Sequence, residues 1–394
     1  MSEGETSPTS STLARSALGH RPELDGLRGV AVAMVVVYHV GVMLWPSAPN
    51  GLLPGGALGV DLFFVLSGFL ITSLLLGEHA RRGAVDLPAF ARRRVVRLVP
   101  GLVALFAVVL AVAAATTQYQ VRQVVSSAAW SLSFTANWAV LEGSPHVLGH
   151  LWSLSVEGQF YLVWAVALVV ALRFRHAAAV LAAGAVVAIV AVAVWRYGQV
   201  ESGVNLFLLY LSTQARFDAP MVGALAGIAL ATGRLDRLRG RVASGLAVAG
   251  LMVVLASAAL VDPLAPALHR GLFTLVALGA ACAVVGAVQA GGGPVTGVLA
   301  GGALMTLGRV SYSLYLWHHP VFDWLADATP GWPPVLRTVV GVSAAVAAAA
   351  ASYRFVERPF IERYRGVRTV PSETQAPVAM AKQRSSSSPK AYSS

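Results

Sequence analysis

RPELDGLRGVAVAMVVVYHVGVMLW, residues 21–45, is the stretch that decides the fold. Beyond Arg28 it is an apolar run long enough to cross the hydrocarbon layer of a bilayer, interrupted by His39. An ionisable side chain at membrane depth is costly, and it marks a functional-site candidate by default. On a helix, the eleven residues from Arg28 to His39 rise about 16 Å, roughly half the hydrocarbon thickness. Arg28 is therefore expected near one interface and His39 near the midplane. A histidine packed against a neighbouring helix fits the same run, and the residues leave both alternatives open.

The rest of the chain continues the pattern. Of its 394 residues 56% are hydrophobic and only 12% charged, too little polar surface for a soluble protein of this length. The expected fold is all-α, a polytopic integral membrane protein with about ten transmembrane helices. The spans are placed near residues 29–45, 57–77, 98–117, 150–172, 177–197, 206–232, 242–261, 270–290, 304–325 and 335–355. Residues 20–364 form one membrane domain. The polar stretches 1–19 and 365–394 read as disordered cytoplasmic tails, the first without the features of a cleavable signal.

Arginine clusters in the segments 78–97, 173–176 and 233–241 and in the C-terminal tail, whereas the opposite loops hold only Arg122, Arg196, Arg270 and Arg337. The positive-inside pattern then puts both termini in the cytoplasm and the chain in the inner (plasma) membrane. The net charge of +11 is scattered between apolar runs, which argues against nucleic acid and for a lipid bilayer as partner. The single cysteine, Cys282, excludes an intrachain disulfide. No metal site is expected, because the adjacent His318 and His319 point about 100° apart on a helix.

Further polar patches break the apolar runs. In GVDLFFVLSGFLI (59–71), Asp61 and Ser67 sit on a glycine-containing helix, where packing and chemistry are equally served. RRRVVRLVP (92–100) offers Arg92, Arg93, Arg94 and Arg97, either as a topology signal or as bidentate holders of phosphate. HLWSLSVEGQFYLVW (150–164) carries Ser153 and a carboxylate, Glu157, into a span. Counted from opposite faces, Glu157 and His39 reach similar depths, so the two are expected to meet, the carboxylate orienting the imidazole. GRVSYSLYLWHHPVF (308–322) holds Tyr312, His318 and His319, an aromatic belt or part of a site. In YRFVERPFIERY (353–364), Glu357 and Pro359 mark a helix end.

Together these residues are similar to the membrane acyltransferase-3 family of bacterial O-acyltransferases. The matching pieces, in the family's order, are Arg28 and His39, GVDLFFVLSGFLI, the arginine run ending RLVP, LWSLSVEGQFYL, SYSLYLWHHP and ERPF, spanning residues 20–364. Two positions depart from the pattern. Gly158 replaces a second polar or acidic residue, and His319 stands where tryptophan is usual. The resemblance implies acyl transfer from cytoplasmic acyl-CoA, a co-substrate and not a bound cofactor, to a hydroxyl-bearing acceptor. The acceptor is a cell-surface glycan, a lipid-linked sugar or a macrolide. It also implies catalytic roles for His39, Glu157 and Arg28. Arg92, Arg93, Arg94 and Arg97 would hold the nucleotide phosphates, and Asp61, Ser67, Ser153, Tyr312 and His318 would position substrate. A rival from another class is a secondary transporter or acyl-group exporter that uses a buried His39/Glu157 pair for proton coupling.

Overall fold

The computed structural model describes residues 19–45, 48 and 51–369. The expected N-terminal tail, apart from Gly19, lies outside them, as does the C-terminal one beyond Thr369; residues 365–369 continue the last helix. Ten principal helices make the bundle: α1 Pro22–His39, α2 Gly59–Arg82, α3 Leu87–Ala115, α4 Trp152–Ala171, α5 Ala177–Glu201, α6 Asp218–Ala231, α7 Gly240–Leu260, α8 Phe273–Gln289, α9 Ser311–Ala328 and α10 Pro334–Ser352. Among the described residues there is no strand. Lipid offers no partner for free backbone groups, so helices satisfy them internally. The chain is a helical polytopic membrane protein.

Local chemistry sets the helix ends. Pro22 opens α1, with Glu23 and Asp25 in the first turn, where the helix dipole favours negative charge. Gly83 ends α2 at φ 70°, a left-handed conformation that side chains resist. Asp86 caps α3 by accepting from the Ala89 N–H at 2.8 Å. A five-residue π-helix, Val40–Leu44, follows His39, and another, Tyr353–Glu357, follows α10. Such wide turns recur at functional sites, because they re-aim the side chains beside them.

Among the described residues, eight helical segments are long and apolar enough to cross a membrane. The other two expected spans differ from the sequence reading. The stretch 206–232 is broken into Leu206–Leu211, Thr213–Arg216 and α6, with Ser212 extended between the first two. The break turns Arg216 inward onto Asp61 of α2. The stretch 304–325 divides at Val310 into Gly302–Arg309 and the more polar α9.

Close approach of backbones fixes the framework. A Cβ added to Gly68 would lie 1.9 Å from the Pro220 carbonyl oxygen, so α2 and α6 meet with no room for a side chain. The segment Gly302–Arg309 folds back on the start of α1, where a Cβ on Gly308 would lie 1.7 Å from the Asp25 carbonyl oxygen. That contact backs the turn of α1 that carries Arg28.

Candidate active site

Arg28 of α1, Phe63 and Phe64 of α2, Arg94, Arg97 and Leu98 of α3, Ser153, Glu157 and Tyr161 of α4, and Tyr312 and Tyr315 of α9 line a narrow chamber of about 60 Å³. Arg28, Arg94, Arg97 and Tyr312 also line a wider basin of about 680 Å³, to which Arg81, Arg82, Arg93, Arg309 and Arg358 contribute. A wide basic basin therefore adjoins a smaller chamber, with Arg28, Arg94 and Arg97 shared between them.

Glu157 organises the chamber. Its carboxylate accepts hydrogen bonds from the Ser67 and Tyr161 hydroxyls, which lie 3.1 Å from each other. The Tyr161 ring in turn sits under the Arg94 guanidinium, 5.1 Å from its centroid. The Nε atoms of Arg28 and Arg94 are buried and have no hydrogen-bond partner among the described residues. Unsatisfied guanidinium donors in an enclosed space are a ready site for an anionic group or a developing oxyanion. Tyr312 donates to the Leu98 carbonyl oxygen at 2.5 Å, beside the helix-interior Pro100.

His39 lies in a different place. Its Nδ1 is 2.8 Å from the Val35 carbonyl oxygen and 3.3 Å from Nε2 of His318. A carbonyl can only accept, so in the neutral ring Nδ1 carries the hydrogen and Nε2 the lone pair. His318 is held likewise, with Nδ1 3.0 Å from the Leu314 carbonyl oxygen. Its Nε2 lone pair therefore faces the N–H of His39. The expected meeting of His39 with Glu157 does not occur. Glu157 shares the chamber with Arg28, eleven residues before His39 on α1, whereas His39 packs against His318 and His319, the rings that also meet His150, seven residues before Glu157; the expectation of similar depth is corrected, because the two side chains sit at different levels along their helices. Proton coupling through such a pair, the basis of the transporter alternative, loses its geometry.

Between the two centres stands Tyr315. It lines the chamber, its hydroxyl is 2.6 Å from Ser153 Oγ and donates to the His150 carbonyl, and its ring centroid is 5.6 Å from that of His318.

Of the other sequence-derived candidates, Ser67, Ser153 and Tyr312 belong to the chamber or to its carboxylate. Arg93 bridges to Glu78 at 3.2 Å on the basin wall. Arg92 lines neither cavity and instead reaches the Tyr364 hydroxyl at 3.3 Å. Asp61 lines neither the chamber nor the basin: it is 1% exposed and pairs with Arg216, whose Nη2 lies 2.7 Å from both carboxylate oxygens. Sequence reasoning missed Arg216, Tyr161, Tyr315 and the ring of His150. Tyr161 lies one helical turn after Glu157 and Tyr315 one turn before His318, spacings that mark a shared face. Nothing in the sequence pairs Arg216 with Asp61. Among the described residues no three histidine, cysteine, aspartate or glutamate side chains converge as metal ligands.

A polytopic helical bundle with a buried arginine chamber and a histidine centre deep between its helices defines a membrane-embedded catalyst. The acyltransferase-domain family model, acyltransferase-3, matches residues 21–354, and the chain belongs to that family of acyltransferases. Among curated proteins it is similar to the O-acetyltransferase OatA of Staphylococcus aureus, 28% identical over 351 residues. It is also similar to the peptidoglycan O-acetyltransferase OatA of Listeria monocytogenes, 28% identical over 364 residues, and to the putative peptidoglycan O-acetyltransferase YrhL of Bacillus subtilis, 31% identical over 357 residues. The alignments cover 86%, 88% and 86% of this chain but only 57%, 57% and 54% of those proteins. No solved structure matches.

Proposed function

We propose that this protein moves a short acyl group from acyl-CoA to a hydroxyl of a peptidoglycan-type sugar, with both termini in the cytoplasm of a bacterium and the bundle in its plasma membrane. The observation that carries the reading is the buried, unpartnered guanidinium edge of Arg28 and Arg94 at the passage from the basic basin into the chamber. The basin suits the nucleotide phosphates through Arg93, Arg94 and Arg97, and the thin pantetheine arm reaches past Arg28. A chamber of about 60 Å³ holds roughly four water-sized units at 10–15 Å³ each, the size of a small acyl group. The relatives' names supply the acceptor class. A macrolide or a lipid-linked sugar is the competing acceptor in the same assay.

The chemistry is general-base acyl transfer. The acceptor hydroxyl gives its proton to His39 Nε2 as its oxygen bonds to the thioester carbonyl carbon. The adjacent His318 Nε2 accepts from His39 Nδ1–H and steadies the imidazolium that forms, the part first expected of Glu157. Glu157 instead balances Arg28 and Arg94. Collapse of the tetrahedral intermediate breaks the C–S bond, and the thiolate of CoA leaves and takes up a proton. Direct transfer is the simpler form; an acyl group carried on His39 is the alternative, separated by trapping labelled acyl-enzyme.

The test uses purified protein, labelled acetyl-CoA and candidate acceptors in detergent, without a gradient. Arg28→Ala is expected to raise the KM for acetyl-CoA by about 10- to 100-fold, the loss of one charge-assisted contact of about 1.5–3 kcal/mol. His39→Ala is expected to abolish transfer. Wild-type turnover by His39→Ala at normal protein levels refutes the mechanism.

A further inference from the structure

The histidine centre contains more than a base and its partner. Four rings from three elements pack together there: His39 from α1, His150 from the turn before α4, and His318 and His319 from α9. His150 stacks on His319, with centroids 4.6 Å apart and planes 12° from parallel. His39 lies 4.8 Å from His318 and 5.5 Å from His319, and His150 lies 5.4 Å from His318. Apolar side chains would fill this volume without penalty. A buried polar atom with no partner costs about 1–3 kcal/mol, so an imidazole here calls for a ligand.

The hydrogen bonds divide the four rings into two pairs. His39 and His318 are held by backbone carbonyls and by each other. His150 and His319 are not. Both ring nitrogens of His150 and Nδ1 of His319 are buried without a partner among the described residues, and His150 is only 5% exposed. His39 and His319 are half-buried, whereas His150 and His318 are buried. Each neutral imidazole offers one donor and one acceptor. Two stacked rings therefore present two of each, matching the hydroxyl and acetamido groups along one edge of an N-acetylhexosamine.

We propose that His150 and His319 form the acceptor subsite, binding an N-acetylhexosamine so that one of its hydroxyls meets Nε2 of His39. This rests on the transferase reading and adds the residues that recognise the acceptor. It also separates donor recognition, at the arginines, from acceptor recognition, at the histidines, with Tyr315 between them.

The experiment uses the full chain purified in detergent, acetyl-CoA as donor and the disaccharide of N-acetylglucosamine and N-acetylmuramic acid as probe. Three quantities are read: the KM for disaccharide, CoA release without disaccharide, and the thermal shift on adding disaccharide alone. His150→Phe and His319→Phe keep the ring and remove its nitrogens. Each is expected to raise the disaccharide KM about tenfold, equivalent to 1.4 kcal/mol, and to abolish the thermal shift, while donor-only CoA release stays within about twofold of wild type. His150→Asn, which restores a donor and an acceptor, is expected to recover part of the KM. Unchanged KM and shift in both phenylalanine variants overturn the proposal, as does a parallel fall of CoA release and transfer. A wild type that releases CoA but neither binds nor acylates the disaccharide overturns the subsite and leaves the transferase reading standing. A wild type that releases no CoA yet binds disaccharide through His150 overturns the donor reading and keeps the subsite.

Discussion

Replacing Asp61 tests whether it is structural, as its surroundings require, or belongs to the substrate site, as the sequence implied. Its carboxylate and the Arg216 guanidinium are each 1% exposed. Only Nη2 of Arg216 is hydrogen-bonded; Nε and Nη1 have no partner. The remaining stabilisation of the cation comes from ring faces: Phe273 at 3.9 Å, Tyr210 at 4.9 Å, and Trp152 and Phe64 at about 6 Å. Such contacts supply about 0.5–2 kcal/mol each, far less than removing a buried guanidinium from water costs. Asp61→Ala strands that charge, and breaking a buried pair by removing one partner costs about 3–5 kcal/mol. At roughly 2–4 °C per kcal/mol for a large domain, the apparent melting temperature is expected to fall by about 6–20 °C. The double variant Asp61→Leu/Arg216→Met removes both charges and keeps the volume, and is expected to recover most of the loss. The assay is a melt of detergent-solubilised protein followed by size-exclusion, alongside CoA release measured at a temperature where every variant is folded. A stable but inactive Asp61→Ala refutes the structural assignment, and so does a double variant that melts as early as the single one.

Two further perturbations probe the chamber. Tyr315→Phe removes the hydroxyl that ties α9 to Ser153 and to the turn carrying His150; the expected result is more CoA release per acceptor acylated, counted as the ratio of thiol to ester, and an unchanged ratio counts against Tyr315 as the partition between the centres. Phe63→Ala enlarges the chamber, and the preference for acetyl-CoA over hexanoyl-CoA is expected to drop by about tenfold or more in competition, since each buried methylene is worth about 0.8 kcal/mol; an unaltered chain-length profile places the acyl group elsewhere.

Much of this protein is legible along the chain and little of it around the helix axes. The fold class follows from composition, because lipid permits few backbone solutions. Helical rise puts His39 far from Arg28, and the structure keeps them in separate centres, but Glu157 sits at the level of Arg28 and not of His39, because counting residues from two loop ends does not fix how one helix is staggered against another. Azimuth is not legible. Helix α4 has apolar residues on nearly every side, so no stripe says which way Glu157 points. Its direction is set by Ser67 and Tyr161, contacts across 90 residues and across one helical turn. The broken span 206–232 escapes sequence reading for a related reason. Its apolar composition suits a continuous helix, but Pro220 falls in the first turn of α6 and Arg216 pairs with Asp61 across the bundle, so the stretch breaks before α6.

The separation of the two polar centres has a consequence for how charge is managed in a membrane. A carboxylate beside His39 would hold a buried ion pair whenever the base is protonated. That arrangement stabilises the imidazolium strongly and would slow return of the proton. A neutral His318 offers a lone pair without a charge, so the imidazolium gains one hydrogen bond and stays a usable acid. Glu157 meanwhile lies among Arg28, Arg94 and Arg97, where an anion offsets cations that otherwise repel one another across the chamber. In the proposed mechanism an anionic donor supplies the partners that Arg28 and Arg94 lack at Nε among the described residues. The proposal then accounts for the residue at each place by which charge must be permanent and which must come and go: arginine with glutamate where the donor's charge is fixed, and a pair of imidazoles where a proton is borrowed and returned.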